Sequence, residues 1–247
     1  MQSKGEVGEQ TPAFLFRKTG GKTIIKKMVT VIFFPLALLS GAFAQTDVLT
    51  SQFTIARLKY SGGGDWYNDP SIIPNLLAYL RKAVHIDAAE NELQVSLTDE
   101  DIFSYPFLFM TGHGRISFSE KEADRLRTYL TKGGFLFADD DYGMDEHFKR
   151  EMKKVFPEKK LLEIPFSHEI YHSHFDFPNG LPKIHEHDGL PPKGYGYFHE
   201  GRLVVFYAFS SNISDGWADP EVHGDLEEIR ESALRMGTNI VVYALMN

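Results

Sequence analysis

The sequence predicts an open α/β fold, a single domain in which a parallel sheet is flanked by helices. Three observations predict it. Strand-like and helix-like segments alternate along the chain, which requires parallel pairing through right-handed crossovers. Pro106-Phe-Leu-Phe-Met-Thr111 and Phe135-Leu-Phe-Ala138 are continuous apolar runs, as expected of strands buried on both faces. The length, 247 residues with 43% hydrophobic, suits one domain with a full core.

The elements follow in order. Phe53 to Tyr60 is β-rich and half alternating, and it ends at Gly62-Gly63-Gly64. Ile73, Leu76, Leu77, Leu80 and Val84 have helical spacing, with Pro74 tolerable only in the first turn. Leu93 to Leu97 is a short alternating strand. Ser119-Glu-Lys-Glu122 is a capping box that opens a helix with Ala123, Leu126 and Leu130 inward, stopped by Gly133-Gly134. After the second buried strand and Asp139-Asp140-Asp141, a basic amphipathic helix spans about Asp145 to Val155 and stops before Pro157. Residues 157–200 are rich in Pro, Gly and His, with Lys160 to Ile164 as a short strand candidate. Arg202 to Phe209 is a strong strand, and Asp225 to Met236 is a helix that reaches the end of the sequence past a break expected at Gly237.

Residues 1–44 differ in kind. Lys4, Arg17, Lys18, Lys22, Lys26 and Lys27 precede an uncharged stretch, Met28 to Thr46, with the small-residue ending Ala42-Phe43-Ala44. This is the pattern of a secretory signal peptide cleaved before Gln45. The alternative is an uncleaved anchor, because the stretch approaches the ~20 residues needed to span a bilayer. Residues 45–51 then form a short linker, and 52–247 the domain, with a His-rich insertion at about 157–200. Export to a periplasm or the extracellular space is expected, without a membrane span after processing. Cleavage would remove six basic and two acidic side chains and move the net charge from −8 to −12.

The absence of cysteine excludes disulfides, thiolate metal sites and a cysteine nucleophile. The acidic balance argues against nucleic acid as a partner, since phosphate contacts need a basic face.

In open α/β sheets ligands bind outside the carboxyl ends of the strands. Four polar loops leave such ends: Ser61 to Asn68, Gly112 to Arg115, Asp139 to Gly143 and Ser210 to Trp217. The first carries Gly63, Gly64, Asp65, Trp66 and Tyr67. Its triple glycine matches no phosphate-binding motif, and Asp65 would repel a phosphate. A carboxylate beside two aromatic rings suits a sugar ring or a cation. Tyr142 and Trp217 join these residues as expected ligand-binding groups. Asp139, Asp140 and His113 are the expected catalytic groups, as carboxylate ligand or base with an imidazole partner.

Five of the ten histidines lie in His168-Glu-Ile-Tyr-His172-Ser-His174 and His185-Glu-His187-Asp188. Imidazoles with carboxylates suit Zn or Mn, and Asp140, His168, His172 and His174 form the candidate metal set. No G-x-S-x-G elbow supports a serine triad.

LKYSGGGDWYNDP, YPFLFMTGHG, GGFLFADDDYG, the HEIYH segment and MGTNIVVYAL resemble the bacterial domain-of-unknown-function family numbered 4159, over about residues 52–247. The resemblance implies a flavodoxin-like fold similar to class I glutamine amidotransferases, and it brings no established activity. In that wider group the strand matching Phe135 to Ala138 leads to a nucleophile elbow with a Cys, where this chain has Asp139 or Asp140. Cysteine-based glutamine hydrolysis is therefore excluded. The arrangement is more similar to the ThuA-like branch, associated with sugar metabolism. The expectation is an exported domain that binds a carbohydrate or cell-envelope ligand, with metal-assisted or carboxylate-based hydrolysis as its chemistry. The alternative is a non-catalytic binding or assembly module with an envelope protein partner.

Overall fold

A computed structural model describes residues 52–247, so the leader and linker expected for residues 1–51 lie outside the described residues. Strands and helices alternate from β1 (Ala56–Lys59) through α1 (Ile72–Ala83), β2 (Leu93–Ser96), β3 (Phe107–Met110), α2 (Glu120–Thr131), β4 (Phe135–Asp139) and α3 (Asp145–Val155). Then come β5 (Leu162–Glu163), β6 (Lys193–His199), β7 (Arg202–Phe209), the short α4 (Pro220–His223) and α5 (Glu227–Met246). The sheet order is β2-β1-β3-β4-β7-β6-β5. The first five strands in that order are parallel, giving a flavodoxin-like open sheet.

Strand alternation divides the core between two layers. Phe107, Phe109, Phe135 and Phe137 face Ile73, Leu76 and Leu80 of α1 and Met236 and Ile240 of α5. Leu108, Met110, Leu136 and Ala138 face Leu126 and Leu130 of α2 and Phe148 and Met152 of α3. Each large apolar side chain so buried contributes about 1.5–3 kcal/mol. The capping box of α2 forms as its sequence predicts: Ser119 accepts from the Glu122 amide and the Glu122 carboxylate accepts from that of Ser119.

The far edge departs from an all-parallel reading. β6 is antiparallel to both β7 and β5. Its direction follows from the tight Glu200-Gly201 connection, where both residues have positive φ, as a two-residue hairpin turn requires. Gly194 and Gly196 hide this strand from a pattern search. A Cβ at Gly194 would lie 2.1 Å from the Tyr171 hydroxyl, and one at Gly196 2.2 Å from Leu203.

The final helix also departs from expectation, because Gly237 does not break it. The glycine instead lets α5 approach the Trp217 ring, which a Cβ there would meet at 2.6 Å. No described helix is long and apolar enough to cross a membrane.

Candidate functional site

The chain leaves β1 for β2 on one side and reaches β3 on the other, so the topological switch point lies between β1 and β3. The loops following these strands flank it. Arg57, in mid-β1 and 1% exposed, shapes the first loop. Its Nε donates to both oxygens of Glu92, at 2.9 and 2.8 Å. Its terminal nitrogens donate to the carbonyls of Trp66, Asn68 and Asp69. One buried guanidinium thus satisfies three loop carbonyls that would otherwise be orphaned.

Across the switch point this loop meets the β3 loop. Gly64 donates its amide to the Arg115 carbonyl at 2.9 Å. Gly112 has φ +136°, and a Cβ there would lie 2.4 Å from the Tyr60 hydroxyl and 3.0 Å from Asp65 Oδ1. The approach therefore depends on glycine. Asp65 Oδ2 sits 3.0 Å from His113 Nδ1, and Asp65 Oδ1 accepts the His113 amide. Asp141 Oδ2 lies 3.2 Å from the same Nδ1. The imidazole is half exposed, and its Nε2 has no partner among the described residues.

These carboxyls are driven apart in acidity. Partial burial of Asp65 is outweighed by the hydrogen bonds from His113, which hold it below the usual carboxylate range. Asp141 is pushed up to about 8 by burial, then by the charges of Asp215 and Asp139. Burial also disfavours charge on Asp215, but hydrogen bonds from His185 and Asn212 keep it below the usual range. His185 in turn is raised to about 9 by its bond to Asp215 and then by Asp225. The two neighbouring carboxyls are thus shifted in opposite directions, Asp141 up and Asp215 down.

The three consecutive aspartates point in three directions. Asp139 is fully buried; its Oδ2 accepts the Ser214 amide at 2.6 Å and its Oδ1 has no partner among the described residues. Burial pushes its carboxyl up to about 7. Asp140 accepts the Met144 amide at 2.9 Å, at the start of α3, and the Tyr207 hydroxyl at 2.9 Å. Both of its oxygens are occupied in holding the helix. Asp141 is the member that reaches His113, with Asn68 donating to it at 2.6 Å and Asn212 at 3.0 Å.

An open cleft of ≈ 410 Å³ lies beside this cluster. Its lining includes Asp140, Asp141, Asp145, Glu146 and Asp188, the rings of Tyr142, His187 and Phe209, and, among the described residues, no Lys or Arg. Tyr142 is half exposed and stacks on His187 at 4.7 Å.

The structure brings Gly63, Gly64, Asp65, Trp66, Tyr67, His113 and Tyr142 to this edge. Gly64 is buried in the loop junction, and Gly63 is exposed with free space around it. Tyr67 is exposed and packs edge-on against the half-buried Trp66. Trp217 does not join them. It is 1% exposed, packed on Phe109 and Phe137, so a wall role in the cleft is corrected to a core role. Asp139 is instead buried, and Asp140 accepts the Met144 amide and the Tyr207 hydroxyl, so Asp141 is the one of the three aspartates that meets His113.

The metal set of Asp140, His168, His172 and His174 does not converge. His168 packs on Tyr243 at 5.4 Å, and Tyr243 packs on Phe135 at the amino end of β4. Asp140 follows the carboxyl end, about 13 Å away at ~3.3 Å per residue. His172 bonds to Asp176 and the Phe166 carbonyl, and the His174 amide bonds to Asn239 of α5. Sequence reading passes over Arg57, Asn68, Asn212 and Asp215. The last two stand in the Ser210–Trp217 loop, so their position is legible and their role is not.

An open α/β domain with an aspartate–histidine cluster at the carboxyl edge, and no thiol, is the class defined by this fold and site. Within that class, the chain belongs to the family described as Domain of unknown function (DUF4159), whose model matches residues 54–245. No curated protein matches the chain.

Proposed function

We propose that the chain binds a neutral or cationic polyhydroxylated ligand, of carbohydrate or cell-envelope type, and hydrolyses it with His113 as the proton-transferring group. The observation that carries this reading is His113 Nδ1 held by Asp65 while Nε2 has no partner among the described residues at the topological switch point. Asp65 fixes the tautomer with the proton on Nδ1, so Nε2 is a base. Nε2 takes a proton from water as the oxygen attacks the substrate, and the imidazolium then gives that proton to the leaving group. The acidic lining, with no Lys or Arg among the described residues, disfavours phosphorylated and carboxylated ligands. The exposed rings of Tyr67 and Tyr142 supply stacking surface for a sugar.

The resemblance to ThuA-like, Cys-free relatives of class I amidotransferases supports the same ligand class. Its weight is that of fold analogy. Export from a bacterial cell is part of the proposal and rests on the composition of residues 1–44.

A second reading, a non-catalytic binding or assembly module, is favoured by one observation. The strand end that holds the nucleophile in amidotransferase-like enzymes is spent here on structure, through Asp139 and Asp140. The test is release of reducing ends from soluble neutral polysaccharides and chitooligosaccharides by the wild-type chain and by His113→Ala. Turnover that falls at least about 100-fold in the variant supports the enzyme reading. Glycan-dependent stabilisation without turnover supports the module. Neither effect with any glycan overturns both.

A further inference from the structure

The structure assigns, we infer, a divalent-cation site to His185, Asp215 and His223, separate from the His168–His174 group. One ligand atom from each residue lies within 4.8 Å of the others. They come from three segments that meet at the carboxyl edge: the stretch before β6, the turn after β7, and α4. A zinc ion with nitrogen and oxygen ligands at ~2.0–2.1 Å holds those ligand atoms about 3.3 Å apart, so side-chain rotations of about 1 Å close the site.

The surroundings are those of a metal centre. Asp215 Oδ2 faces His185 Nδ1 at 2.8 Å, and Asp225 accepts from the opposite ring nitrogen, Nε2, at 3.0 Å. A carboxylate on the far nitrogen orients a ligating imidazole and strengthens it as a donor. Asp69 stands 3.3 Å from His223 Nε2, and the two imidazoles lie 4.9 Å apart. None of these carboxylates contacts a Lys or Arg among the described residues. An ion entering between His185 and Asp215 takes the place of the proton they share.

A second observation points to a ligand from outside the chain. The Asn212 amide is 1% exposed, and its Nδ2 donates to Asp215 Oδ2 at 3.2 Å. Its Oδ1 finds no donor among the described residues, and a water carried by the ion would donate to it. Two imidazoles and one carboxylate leave an open position, the ligand set of catalytic zinc. Magnesium and calcium, which prefer all-oxygen sites, fit poorly.

The inference does not rest on hydrolysis by His113, and the experiment is binding alone. The full chain, stripped with chelator and dialysed, is titrated with Zn²⁺ by calorimetry and melted with and without the ion, with Mg²⁺ as control. The expected result is one Zn²⁺ per chain, a raised melting temperature and no response to Mg²⁺. Asp225→Asn weakens affinity about 10–100-fold, as loss of an orienting carboxylate does. His223→Ala removes a direct ligand outside the core and weakens it further. The double variant His172→Ala, His174→Ala binds as wild type does. Absence of stoichiometric zinc in the folded wild type overturns the site, as does binding that survives His223→Ala or is lost in the double variant.

Discussion

Asp65 holds His113 at two points, with Oδ2 3.0 Å from Nδ1 and Oδ1 accepting the backbone amide of the same residue. A side chain from the β1 loop thereby fixes both the ring and the main chain of the β3 loop. Asp65→Asn keeps the size and one acceptor but no longer selects the Nδ1–H tautomer. Turnover of the glycan substrate falls about 10²–10⁴-fold, while the melting temperature stays close to wild type because the pair is half exposed. Kinetics and thermal melts on the same preparation check it. Full activity in Asp65→Asn would remove His113 from the proposed chemistry.

Asp139 makes stability depend on pH in a direction opposite to that of a salt-bridged carboxylate. Unfolded, it ionises near 4. Folded, burial raises it to about 7. Between these values the native chain binds a proton that the unfolded chain has lost. Its contribution is therefore complete below about pH 4, declines as pH rises toward 7, and is flat above. Asp139→Asn removes this slope, so the variant is more stable than wild type at pH 8 and near it at pH 4. Urea unfolding at both values tests this, and an unchanged pH slope in the variant contradicts it.

How far the sequence discloses this arrangement depends on what each residue's position requires. β3 and β4 are legible because strands buried on both faces must be apolar throughout, and β7 begins and ends where its pattern predicts. β6 is not, since its glycines are set by the Tyr171 and Leu203 side chains packed over them. The Asp65–His113 edge is legible because polar residues flanked by glycine follow strand ends. The choice among Asp139, Asp140 and Asp141 is not, because it turns on side-chain direction as the strand ends. Histidine spacing likewise does not reveal the end of the sheet. It draws attention to His168–His174, although His185 and His187 are the ones at the carboxyl edge.

Arg57 is the buried charge whose loss should matter most to the site. Its guanidinium balances Glu92 and holds three carbonyls of the 61–69 loop. Arg57→Met fills much of the volume but strands the carboxylate and the carbonyls, at a cost of about 3–5 kcal/mol. Denaturant unfolding measures the loss, and hydrogen exchange locates it first in residues 61–69. A loss under ~1 kcal/mol would show that the loop is held by other contacts.

The two tryptophans provide a last comparison, because they are equally prominent in sequence and occupy opposite environments. Trp217 donates its indole N–H to the Ala233 carbonyl at 2.8 Å and packs within 6.0 Å of the Phe109 and Phe137 rings. Gly237 leaves room for it against α5. Trp217→Ala empties the layer between the sheet and α5, costing about 3–5 kcal/mol. Any effect on ligand binding then follows unfolding and disappears where the variant is still folded. Trp66 is half-buried in the β1 loop, its ring against the exposed Tyr67. Trp66→Ala costs stability on the order of 1 kcal/mol and abolishes glycan-dependent stabilisation. Parallel urea titrations with and without a chitooligosaccharide separate the two effects. Equal loss of glycan response in folded samples of both variants would place Trp217 back among the ligand contacts and contradict its core assignment.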